Sequence, residues 1–160
     1  MKAVTALYNI LSSNSALTAV VGNRINPLRI PETSALPAIA YQVVSNRGNM
    51  TKSGPSKSDF TRVQVMIVAS TYASAIEVGD LVRNAMEVET PAIFNGVRVQ
   101  VIEYDGEVHL ADDNAGFAGV STIGMDFIIN YTIGGPVETS FLLLESGDFI
   151  LLEDNYKIII

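Results

Sequence analysis

The 160-residue chain has no cysteine and a single histidine. Without cysteine there is no disulfide framework, no thiolate zinc site and no thiol nucleophile. Neither a G-x-x-x-x-G-K-[ST] phosphate loop nor a G-x-G-x-x-G fingerprint occurs, so nothing cradles a nucleotide, and no cofactor is expected. No uninterrupted apolar run approaches the roughly 20 residues that span a bilayer. Met1-Lys2-Ala3-Val4 leads into a polar-interrupted helical pattern with neither an apolar leader nor a small-residue cleavage site. No signal peptide is read, and synthesis in the cytoplasm without a membrane partner is expected.

What is present suits one compact domain: 48% of residues are apolar, enough for a real core. The charge is polarised along the chain. Up to Arg62 there are seven bases against two acids, Glu32 and Asp59; from Glu103 onward eleven acids face only Lys157. Opposed potentials of this kind steer association and fix register, so a basic region of one copy can meet an acidic region of another.

Val4, Leu7, Tyr8 and Leu11 share one helical stripe. Ser12 to Ser15 interrupts it, and Asn14 or Ser15 caps a second short helix that Gly22 closes after Val21. Arg24 to Pro27 reads as a short strand, Leu28 to Ala35 as a Pro-flanked loop, and Ala38 to Ser45 as a strand with Ile39, Tyr41 and Val43 on one face. Asn46 to Ser58 holds three bases, two glycines, one proline and no acid. It is expected to be a long basic hairpin loop or a mobile arm.

Phe60 to Ala69 is the clearest strand, with Val63, Val65 and Ile67 opposite Arg62 and Gln64. Ser70-Thr71 caps a helix whose stripe is Tyr72, Ala75, Ile76, Gly79, Val82 and Met86, with Gly79 allowing close approach and Pro91 ending it. Asn95-Gly96, between Ile93-Phe94 and Val97-Arg98-Val99, is a hairpin turn, because a type I′ turn needs positive φ at both central residues. Val97, Val99 and Val101 alternate with Arg98 and Gln100. An acidic loop is expected from Asp105 to Asn114, then a long strand with Ile123, Met125, Phe127, Ile129 and Tyr131 on one face. This order predicts an α+β fold: a mainly antiparallel sheet packed by two or three helices.

Gly134-Gly135-Pro136 marks a boundary between a domain at 1–133 and an extension at 134–160. In the extension Leu143-Leu144-Glu145 is echoed by Leu151-Leu152-Glu153, and the segment reads as a β-meander of three short strands. Strands as apolar as those of Phe141, Leu143, Phe149, Leu151, Tyr156 and Ile158 must complete a sheet, and pairing with a neighbouring subunit is favoured.

Chemistry is sparse. His109, near Asp105, Glu107, Asp112 and Asp113, can serve acid–base catalysis only where a nucleophile and oxyanion donors converge on it, and it reads instead as a surface histidine. Asp112-Asp113-Asn114 lacks the ligand spacing of a calcium loop. Arg47, Asn49, Lys52, Lys57 and Arg62 suit a protein contact better than a nucleic-acid grip, since Phe60 is the one aromatic nearby and the chain is acidic overall.

Ala6-Leu7, Ala16-Leu17, Val20-Val21-Gly22, Arg24-Ile25 with Pro27, Leu36-Pro37 with Ile39 and Tyr41, Gly54-Pro55, Arg62 to Val65 followed by Tyr72, and the closing strand to Tyr131 occur in this order. The arrangement resembles the bacteriophage tail-completion family, the tail terminators or tail-to-head joining proteins, over residues 1 to 132. The resemblance implies a structural virion protein without catalytic residues. Such a subunit assembles as a homo-oligomer, usually a hexamer, at the head-proximal end of the tail. Its partners are the tail tube protein and a head-tail connector or stopper protein, and DNA passes through its channel without specific binding. The alternatives are another neck or tail component (a stopper, connector or tube subunit), a small enzyme centred on His109, and a monomeric domain with a deep apolar pocket.

Overall fold

The computed structural model describes residues 2–52, 54–111, 119–132, 142–143 and 149–150. Helix α1 (Lys2–Ser13) buries Ala3, Ala6, Leu7, Ile10 and Leu11. This stripe is rotated from the expected one. Ala3 and Ala6 are small enough to bring the helix close to the sheet, so Ile10 turns inward and Tyr8 outward, where its ring leans on Tyr41 with 6.2 Å between centroids.

Helix α2 (Ser15–Val21) follows at an 81° bend, and among the described residues no single helix is long and apolar enough to cross a membrane. Asn14 caps it, its side-chain oxygen accepting from the Leu17 N–H at 2.9 Å. At the other end the Gly22 N–H donates to Thr18 O. Arg24 reaches back to donate to Val20 O and forward to Pro37 O, both at 2.9 Å. A cation thus closes the helix C-terminus and pins it to Pro37, just before the strand that starts at Ala38.

Strand β1 (Ile25–Pro27) pairs in parallel with β2 (Ala38–Thr51), which pairs antiparallel with β3 (Gly54–Ala69). Helix α3 (Tyr72–Met86) comes next, then β4 (Ala92–Phe94), β5 (Val97–Ala111) and β6 (Ser121–Thr132). The six strands form one sheet in the order β1-β2-β3-β6-β5-β4, antiparallel apart from β1–β2. The fold is α+β, as expected.

Helices α1 and α3 lie against one sheet face with α2 packed on both, and they enclose a core in which Phe127, Leu7, Leu11, Leu17, Ile39, Ile67, Met86 and Ile129 are fully buried. Thr71 caps α3 through its hydroxyl, which accepts from the Ser74 N–H. The helix buries Ala75, Val78, Gly79, Val82, Ala85 and Met86 and leaves Tyr72 and Ile76 outside the stripe. It stops at Met86, well before Pro91, because the chain leaves the helix for Val88 to pack on the core. At Asn95-Gly96 the φ angles are 46° and 76°, the positive pair that the hairpin turn requires.

Two sequence-based expectations are corrected. Asn46 to Ser58 is a hairpin, as expected, but not a loop: β2 continues to Thr51 and β3 begins at Gly54, with Asn46 to Gly48 still inside the sheet and a short strand-built arm beyond them. Asp105 onward is no acidic loop either, for β5 runs to Ala111. Both segments lack simple alternation because the register breaks in or beside them, at Val44 and again between Gly48 and Met50 in β2, and at Gln100 and Asp105 in β5. The Gln100 bulge also reverses the facing of the residues after it, so Ile102 and Tyr104 turn to the core while Val101 is exposed.

Beyond β6, β7 (Leu142–Leu143) pairs antiparallel with β8 (Phe149–Ile150) as a separate two-stranded sheet. The Gly134 to Pro136 boundary, Asp112-Asp113-Asn114, and Phe141, Leu151, Tyr156 and Ile158 lie outside the described residues.

Candidate assembly surfaces

Among the described residues helices cover one side of the sheet, which leaves the arm, the other, bare face and the strand edges as candidate surfaces. The arm is held at its root by polar contacts. Buried Thr61 donates to Asn46 Oδ1 at 2.6 Å, and the Asn46 side-chain amide donates to Asp59. Toward the tip, Thr51 donates its hydroxyl to Gly54 O at 2.8 Å. Of the predicted contact residues, Lys52 and Lys57 are exposed on this arm, Arg47 is exposed on β2 just below it, and Asn49 is half-buried. None of the three cations has an ion-pair partner among the described residues.

Arg62 is placed differently. It stands on the bare sheet face, its guanidinium 2.7 Å from Asp126 and 3.1 Å from Asp105. The hydrogen bond and charge of Asp126, then the charge of Asp105, hold the guanidinium above its usual value. Arg62 therefore ties β3 to β6 and β5 within one subunit. Leu143 and Phe149, the predicted contact residues of the extension that fall within the described strands, lie in β7 and β8 and are paired with each other.

His109 stands on β5 in a chain of side chains. Its Nδ1 lies 2.9 Å from the Tyr72 hydroxyl and its Nε2 is 3.0 Å from Glu107. Tyr104 donates to the other Glu107 oxygen at 2.8 Å, and the Arg83 guanidinium lies 3.6 Å above the Tyr104 ring. Hydrogen bonds from His109 and then Tyr104 hold the Glu107 carboxyl below its usual range. Burial, followed by the bond to Glu107, pushes the Tyr104 phenol up. The chain lies open on the protein surface and links α3 to β5, which is what a surface tie between layers does.

Sequence reasoning missed one feature. On the bare face, a cleft of about 390 Å³ lies under the loop between β1 and β2, among Leu28, Ile30, Leu36, Ala40, Met66 and Val68. The apolar residues of the Pro-flanked loop were its signal. Arg29, Glu32 and Ser34 also line the cleft, whose wall is otherwise mostly apolar.

The model of one protein family, described as tail completion protein gp17, matches residues 5–124. The chain belongs to this family. It is a structural tail protein of the bacteriophage virion, as the resemblance implied. Among solved structures, a chain in the virion of a native gene transfer agent particle has the same fold, with a TM-score of 0.63 at 15% identity over 79% of this chain and 92% of that one. Comparison with curated proteins gives no match.

Proposed function

We propose that copies of this tail completion protein form a closed ring, six in number, at the head-proximal end of the tail. There the ring ends tube growth and presents a joining surface to the head's connector or stopper. The observation that carries this reading is the β2–β3 arm. It leaves the body of the sheet just past Arg47 and carries Lys52 and Lys57; all three cations are exposed, and no described residue neutralises them. A hairpin whose tip holds no fully buried apolar side chain among the described residues gains further stabilising contacts from a neighbour or from the tube. Heterologous contacts between unlike faces close into a ring when the rotation allows it, and the charge polarity of the chain supplies such faces. The extension at 134–160 is a second assembly element in this reading, and DNA slides through a channel that does not hold phosphates tightly.

The test pairs solution mass with negative-stain microscopy, then assays head-to-tail joining. A ring of about six copies of the 17.2 kDa chain is expected. The triple variant Arg47→Ser, Lys52→Ser, Lys57→Ser should fold normally yet join tails to heads poorly. Full joining by that variant would remove the arm from the argument, and assembly elsewhere in the neck would assign the chain to another neck component.

A further inference from the structure

We propose that adjacent copies in this ring are joined by main-chain pairing between the free edge of β2 in one copy and the free edge of β5 in the next. The inference rests on the ring reading and adds to it the surface and the register. Both outermost strands, β1 and β4, are only three residues long. β1 covers β2 over Ile39–Tyr41, and β4 covers β5 over Val97–Val99. Past those points, among the described residues, no strand pairs with the outer side of either.

The two open stretches lie at the same height in the sheet. Gln42 is level with Gly106, through Gln64 and Asp126; Arg47 is level with Val101, through Phe60 and Asn130. Gln42–Arg47 and Val101–Gly106 are therefore matched windows, each with one bulged residue, Val44 and Asp105. Below them β1 blocks one edge, and above them β4 blocks the other. A rotation about an axis along the strands brings the windows side by side without a shift. β2 and β5 run in opposite directions, so the new pair is antiparallel, and unpaired N–H and C=O groups on both edges find partners.

Charge selects the same arrangement. The β2 window and the arm beyond it carry Arg47 and Lys52, whereas β5 carries Glu103, Asp105 and Glu107. Arg47 shares the bare sheet face with Arg62 and Asp105. In the matched register it lies diagonal to Glu103 of the next copy, within reach across a strand pair. Two β5 edges repel each other, as do two β2 edges. Unlike edges are thus preferred, which gives a head-to-tail chain that closes instead of a two-fold dimer.

The absence of cysteine makes the test direct. Ser45 and Glu103 are level with one another, through Arg62 and Ile128. The full-length double variant Ser45→Cys, Glu103→Cys, oxidised under conditions where the protein forms rings, should give a ladder of disulfide-linked multimers ending at the ring mass. A control with Glu77→Cys and Glu103→Cys, which pairs a helix position with the edge, should give no ladder. Arg47→Glu alone should abolish the ring, and adding Glu103→Arg should restore it. Rings that form without the ladder, or a ladder equally strong in the control, overturn the edge pairing and leave the ring standing. A wild-type chain that stays monomeric, alone and beside tail tubes, overturns both.

Discussion

Thr61, fully buried on β3, donates its hydroxyl to Asn46 on β2 at 2.6 Å where the hairpin arm leaves the body of the sheet. Asp59, which accepts from Asn46, also accepts from the Tyr131 hydroxyl at 3.4 Å. The arm is thus keyed to the sheet by side chains where hydrophobic packing ends. An arm anchored in this way projects in one fixed direction, as a contact device must.

Thr61→Val keeps the shape and removes the donor. A loss of about 1 kcal/mol is expected, since exposed Asn46 can turn its oxygen to water. The arm should also loosen. Urea unfolding measures the first effect, and faster tryptic cleavage at Lys52 and Lys57 in the native state reports the second.

Arg62 bridges Asp105 and Asp126 across three strands on the bare face. Asp126→Ala leaves the guanidinium with a single partner. Because the Arg62 side chain is about two-fifths exposed, the bridge is screened by salt, and the thermal midpoint should fall at low ionic strength and approach wild type at high. A salt-independent difference would show that packing, not charge, was lost.

Gly79 faces the sheet from the middle of α3, where the sequence pattern reads it as allowing close approach. A Cβ built there meets Ile67 Cδ1 and Ile123 Cδ1 at 3.9 Å, an ordinary van der Waals contact. Gly79→Ala should therefore stabilise the protein by about 0.5–1 kcal/mol through helix propensity. A lower denaturation midpoint would mean that the helix sits closer to the sheet than 3.9 Å implies.

The parts of the fold legible in the sequence are those where one strand face is buried under helices. Ile123, Met125, Phe127, Ile129 and Tyr131 alternate without a break because α1 and α3 cover that face of β6. Arm and outer strand were illegible for the opposite reason. Past Val43 no helix among the described residues covers β2, so Ser45, Asn46 and Arg47 are all polar and the strand is defined by pairing with β3 rather than by apolar alternation. In β5 the bulges at Gln100 and Asp105 shift the alternation, which made a strand look like an acidic loop. The matched edge windows depend on which strands neighbour one another, and that order is a property of the whole sheet.

Acid stability follows from Glu107. Its carboxylate accepts from Tyr104 and contacts His109, and these bonds lower its titration below the usual 4.5. A depressed folded value means that the ionised form binds more tightly in the folded state. The contribution is therefore complete above about pH 4.5 and is lost as pH falls through the lowered value. Glu107→Gln removes this dependence. Thermal midpoints measured from pH 6 down to pH 3 should place the variant below wild type at pH 6, with the gap closing at the acid end. A gap of constant size across that range would show that Glu107 acts through packing rather than through its charge.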